Sequence, residues 1–212
     1  MVVLVTGPAG CLKSALSFNL MTRHLETHPD EFGVYITLEE TTHSHLRNMQ
    51  SLNIALPENL MISDHSDLRT RFESDNPHPD FLELIYGILG FFKQDKGDKF
   101  TCLAIDSLGA MYSLIDTTNI RARMYNFFKR LRELDMTTIV IMETPAESNI
   151  HMSLGSEGFL ADGIIQMGMA DTKQDIALFM QVIKMRACAH SRKKHLVDVT
   201  DSGISVLGPL FD

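Results

Sequence analysis

Val2-Val3-Leu4-Val5-Thr6-Gly7-Pro8-Ala9-Gly10-Cys11-Leu12-Lys13-Ser14 joins a short apolar run to a glycine-containing turn and a Lys-Ser pair. The run has the length and β-branched content of a buried strand. Beyond it, residues 14–28 carry Leu16, Leu20 and Met21 at helical spacing. Strand, turn and helix in this order are the setting of a phosphate-binding loop, and the turn follows G-x-x-x-x-G-K-[S/T] at Gly7, Lys13 and Ser14. It departs from that pattern at Leu12, where the second glycine is expected. In such a loop the backbone of Gly7, Pro8, Ala9, Gly10, Cys11 and Leu12 wraps the phosphates at a helix N-terminus. Lys13 reaches the β- and γ-phosphates, and the Ser14 hydroxyl ligates Mg²⁺. ATP with Mg²⁺ is therefore the expected ligand pair.

Outward from this loop, short apolar segments alternate with helical patterns. Residues 33–38 read as a strand ending at Glu39 and Glu40, 42–50 as a polar helix, and 60–62 as a strand. The Ser, Asp, Asn and Pro content of 64–80 predicts a loop. A helix at 81–92, a strand at 101–105 closing on Asp106, a helix at 121–134 and a strand at 137–142 continue the alternation. Four strands with short turns follow, at 163–167, 176–183, 195–199 and 204–207. The expectation is an α/β fold in three layers: a mostly parallel sheet with helices on both faces and a C-terminal antiparallel extension. No repeat or linker divides the 212 residues, so 1–212 reads as a single domain.

Composition narrows the function. A chain that is 44% hydrophobic and 22% charged is an ordinary globular one, and no apolar run approaches the roughly 20 residues that span a bilayer. No membrane partner is expected, and the apolar start is too short and lacks the basic residues of a secretory signal, which points to the cytoplasm. A net charge of -8 has the wrong sign for a protein held by nucleic-acid phosphates, so DNA is disfavoured as a partner. Cys11, Cys102 and Cys188 form no C-x-x-C pair and read as reduced thiols. His24, His28, His43, His45, His65 and His78 show no ligand spacing and read as surface residues.

Cys102-Leu103-Ala104-Ile105-Asp106-Ser107 is an apolar strand ending in an acid, and beside a phosphate loop such a carboxylate serves Mg²⁺. Glu39 and Glu40 end a neighbouring strand, where a carboxylate can orient the attacking water or take its proton. Lys184, Arg186, Arg192, Lys193 and Lys194 read as a basic rim.

Taken together these residues resemble the KaiC-like ATPases of the RecA superfamily, along nearly the whole chain. Thr37-Leu38-Glu39-Glu40 is similar to the family's strand ending in paired glutamates, and Ile105-Asp106-Ser107-Leu108 to its Walker B strand. Lys184-Met185-Arg186-Ala187-Cys188-Ala189-His190 resembles the K-x-R-x-x-x-H stretch that reaches nucleotide on the adjacent subunit, and Gly158-Phe159-Leu160-Ala161-Asp162-Gly163 the segment entering the late strands. The resemblance implies a RecA-like P-loop core, a catalytic glutamate at Glu39 or Glu40, and Lys184, Arg186 and His190 facing a neighbouring subunit's nucleotide. It further implies a homo-oligomer, usually a hexameric ring. Family domains place a segment ahead of the first strand, whereas this sequence opens on it. A slow, regulatory Mg²⁺-dependent ATPase is the leading reading. A nucleotide-sensing module with little hydrolysis, acting on an unknown protein partner, is the second, and a RadA-like DNA recombination accessory the third.

Overall fold

The structure is a computed structural model describing residues 1–72, 80–145, 155, 157–171 and 175–210. Its elements in order are β1 (Val2–Gly7), α1 (Lys13–Thr27), β2 (Phe32–Thr37), α2 (Thr42–Ser51), β3 (Leu60–Asp64) and α3 (His65–Phe72). Next come α4 (Phe81–Lys96), β4 (Phe100–Asp106), α5 (Leu108–Tyr112), α6 (Ile120–Glu133), β5 (Thr137–Glu143) and α7 (Glu157–Leu160). The chain closes with β6 (Gly163–Asp171), β7 (Ile176–Met185), β8 (His195–Thr200) and β9 (Gly203–Pro209). Among the described residues no helix is long and apolar enough to cross a membrane.

All the strands join one sheet in the order β3-β2-β4-β5-β1-β6-β7-β8-β9. Pairing is parallel from β3 to β6 and antiparallel from β6 to β9, as the alternation of elements predicts. The parallel strands are apolar on both faces because each face is covered. Val2, Leu4, Val34, Ile36, Leu103, Ile105 and Val140 pack under α4 and α6. The alternate residues Val5, Tyr35, Cys102, Ala104, Ile139 and Ile141 pack under α1 and α2. This period of two is what sheet geometry imposes on side chains. The covering helices answer with stripes at helical spacing, such as Leu84, Ile85, Ile88, Leu89 and Phe92 of α4 and Met124, Phe127, Phe128 and Leu131 of α6.

One expected loop is corrected. Residues 65–72 of the expected loop 64–80 form α3, and 73–79 lie outside the described residues. The cause is Asp64, whose Oδ1 accepts the N–H of Asp67 at 3.0 Å and so caps the helix, while Oδ2 accepts the N–H of Thr42 at 2.9 Å. A polar residue chosen as a turn marker is here a double cap. Burial opposes the charge on this carboxyl, but the N–H groups of Asp67, Thr42 and Ser66 outweigh it and hold the acid below its ordinary range.

A folded-state value below the unfolded value means that the stabilisation is present above the unfolded carboxyl range and fades as the pH falls through the folded one. Asp64→Ala should therefore lose about 1–2 kcal/mol at neutral pH in urea unfolding. The gap to the wild type should close as the pH drops below 3.8, the ordinary value for this acid.

Candidate nucleotide site

β1 ends at Gly7, and the chain turns through it into α1 with a backbone that few residues can follow. Gly7 has φ +153, and a Cβ there would collide with the carbonyl oxygen of Met167 on β6. Leu12, immediately before the helix, sits at φ 63 and ψ 29. That is the left-handed region, in which a side chain other than glycine's costs on the order of 1–2 kcal/mol. The loop thus keeps a glycine-type path at the position where the sequence lacks glycine. Leu12 is half-buried, packed against the core on the α1 face.

Lys13 is 9% exposed, and its ammonium donates to the Pro8 carbonyl at 2.7 Å, which folds it back across the loop. Cys11 is buried with its thiol on the same carbonyl, and burial pushes that thiol up, against the pull of Lys13. It is therefore a packed, unreactive thiol.

Parallel register brings the other acids to the same edge. Thr37 of β2 lies beside Asp106 of β4, and Gly7 beside Glu143 of β5. Asp106 is 6% exposed and accepts the Tyr35 hydroxyl at 2.7 Å. Burial pushes its carboxyl above the usual range, against hydrogen bonds from Ser14 and Tyr35. Glu39 accepts the hydroxyl of Ser107 and is exposed. Glu40 differs: Ser44 and Asn48 donate to its Oε2, each at 2.9 Å, and Oε1 lies 2.8 Å from His45 Nδ1. These partners all belong to α2, so Glu40 ties that helix to the end of β2.

A cavity of about 400 Å³ collects Gly10, Leu12, Lys13, Ser14, Glu39, Glu40, Asp106 and Glu143, with Asn48 and Ser107 on its wall. Its donor set suits a small hard cation and polyphosphate: a hydroxyl and a buried carboxylate for Mg²⁺, and an ammonium with a helix N-terminus for the anion. Another cavity of about 630 Å³ opens at the opposite ends of the strands, among Met1, Val3, Met136, Thr137 and Met185, and holds no phosphate loop.

Lys184, Arg186 and His190 do not line the cavity of their own chain. Lys184 donates to the carbonyls of Gly158 and Ala161 at 3.0 and 2.6 Å, and Arg186 reaches Asp162 at 3.1 Å and the Phe159 carbonyl at 3.0 Å. Asp162 also accepts the N–H of Val2, the first residue of β1. These groups therefore lie at the start of β1 and the phosphate loop at its end, six residues or roughly 17 Å apart. His190 Nδ1 approaches the Cys188 carbonyl at 3.2 Å.

The sequence misplaces His45 and leaves Glu143 without an assigned role. His45, expected at the surface, is fully buried, because α2 turns it with Met49 toward the sheet. Glu143 ends β5 at the cavity beside Thr144, whose N–H binds the Gly7 carbonyl at 3.0 Å. Of the other histidines expected at the surface, His24 is 43% exposed, while His78 lies outside the described residues.

The collision at Gly7 predicts that Gly7→Ala loses about 3 kcal/mol of stability, read from thermal unfolding. Gly87→Ala, in the middle of α4 with open space around it, should gain about 0.5–1 kcal/mol in the same assay.

The sequence profile of the family described as ATPase, KaiC matches residues 1–210. The circadian clock oscillator proteins KaiC of Prochlorococcus marinus and Synechococcus elongatus are 26% and 22% identical to this chain over 96% of it. The chain spans only 41% and 39% of their lengths. The crystal structure of a KaiC-like protein from Pyrococcus horikoshii superposes with a TM-score of 0.75 at 25% identity, covering 97% of this chain and 88% of that one. With the RecA-like sheet, the phosphate loop and the acid-bearing strand ends in place, the chain belongs to the KaiC family of ATPases.

Proposed function

We propose that the chain binds ATP with Mg²⁺ in the cavity at the strand ends and hydrolyses it slowly, with a neighbouring subunit completing the site. The observation that carries this reading is the convergence of Lys13, Ser14, Asp106 and Glu39 on one cavity from separate stretches of sequence. The loop amides and Lys13 hold the phosphates, and Lys13 exchanges the Pro8 carbonyl for a phosphate oxygen. Ser14 and Asp106 hold the cation, which when bound neutralises charge on the β- and γ-phosphates. The Asp106 carboxyl, pushed up by burial, is the group that a cation stabilises in its ionised form.

Glu39 is the better base of the pair. A base needs a lone pair free to meet the water, and three side chains of α2 already meet Glu40, which acts as an anchor for the turn. Arg186 supplies charge in trans. It lies about one strand length from its own loop, which supports service to a neighbour in a ring over service to its own nucleotide.

A sensing module with little hydrolysis is the second reading, supported by Leu12 on the cavity wall in a left-handed backbone. A DNA-binding accessory draws no support from a net charge of -8.

Titration calorimetry with ATP and Mg²⁺, with phosphate release and solution mass followed on the same sample, tests these readings. Lys13→Ala should abolish ATP binding. Glu39→Gln should lower turnover at least about 100-fold with affinity kept, and Glu40→Gln should lower it less. Arg186→Ala should lower turnover and spare affinity, and an equal loss of affinity would remove it from the trans role. Binding without release, with turnover appearing in Leu12→Gly, would establish the sensing module. Absence of binding in both proteins would refute the nucleotide reading.

A further inference from the structure

Beneath the cavity, three rings from three elements meet in the core on the α1 face. Tyr35 of β2 lies edge-on to Phe18 of α1, with centroids 5.3 Å apart, and against His45 of α2 at 4.6 Å. Phe18 and His45 are 5.1 Å apart. All three are fully buried. Two of them carry polar atoms, and each points one of these at an acid of the cavity wall: Tyr35 Oη donates to Asp106 Oδ2 at 2.7 Å, and His45 Nδ1 meets Glu40 Oε1 at 2.8 Å.

The arrangement is not what packing alone would select. His45 Nε2 is buried without a hydrogen-bond partner among the described residues, an uncompensated desolvation that leucine or phenylalanine would avoid in the same space. A histidine kept under that penalty has its use at the other nitrogen. Because an ionised carboxylate only accepts, Nδ1 carries the proton in this contact.

We infer that Tyr35 and His45 form one positioning unit for the site, Tyr35 fixing the metal-binding carboxylate of Asp106 and His45 fixing Glu40 and, with it, the turn that presents Glu39. The inference rests on the nucleotide reading above. Neither residue touches the reacting atoms. Tyr35 occupies one oxygen of Asp106 and sets the rotation of the carboxylate toward the cation. His45 locks α2 to the end of β2, and the ring contact makes a displacement of one acid a displacement of the other.

The test uses the whole chain with ATP and magnesium as probes. Tyr35→Phe keeps the ring and removes the hydroxyl, so the magnesium concentration for half-maximal ATP binding should rise about 5- to 10-fold. ATP affinity without magnesium should stay within about twofold. His45→Leu should lower kcat about tenfold with KM within about twofold, and His45→Asn, whose amide can donate near the place of Nδ1, should restore most of it. An unchanged magnesium requirement in Tyr35→Phe, or a loss in His45→Leu that falls on KM and is not rescued by asparagine, overturns the inference. A wild type that neither needs magnesium nor turns over ATP overturns the hydrolytic reading instead. The imidazole ¹⁵N spectrum of the nucleotide-free chain then decides: a protonated Nδ1 of His45 supports the inference, and a bare Nδ1 overturns it.

Discussion

Parallel pairing between β2, β4, β5 and β1 is the constraint on which the rest of this molecule depends. Pairing in one direction sends the C-terminal end of each strand to one edge, and register sets how far each end projects. Asp106 beside Thr37 and Glu143 beside Gly7 are consequences of ladder hydrogen bonds formed far from any ligand. A slip of one residue would turn Asp106 to the opposite face, beneath α4 and α6. What prevents the slip is the division of side chains between two apolar layers, since Leu103 and Ile105 fill one while Cys102 and Ala104 fill the other. The geometry of the candidate site is a product of core packing.

The strand, loop and helix at the N-terminus are legible in the sequence because local signals agree: an apolar run, a turn of fixed spacing and a helical stripe. The acid-ended strands are legible for the same reason, as is the switch from parallel to antiparallel pairing, which short connections after β6 announce. Elsewhere the decisive forces are not local. Asp64 reads as a loop residue because its value as a cap depends on N–H groups from two helices. His45 reads as exposed because α2 is polar along most of its length and buries little besides that histidine and Met49. Its burial follows from the rings of Phe18 and Tyr35, which the sequence keeps 10 or more residues away. Leu12 shows the converse. The motif pattern marks it as a departure, yet the backbone takes the path that glycine would have taken, so the tertiary setting holds a conformation that the residue itself disfavours.

Glu39 and Glu40 could not be separated in the sequence, being adjacent and chemically alike. The structure distinguishes them by their neighbours: one meets a single serine hydroxyl, the other three side chains of a helix. Both lie in the bend between β2 and α2, where Ser44, His45 and Asn48 of the helix engage Glu40 while Glu39 meets Ser107 beyond β4. The difference between their settings is therefore a consequence of where α2 begins.

Asp162 carries a consequence of another kind. One of its oxygens anchors Val2, the near end of the strand whose far end is the phosphate loop, and the other holds Arg186. Without the arginine, the partner left to that carboxylate among the described residues is the N–H of Val2, at the footing of the strand. On the trans role proposed for Arg186, service to a neighbour and the seating of the chain's own loop share this one carboxylate, with β1 running between them.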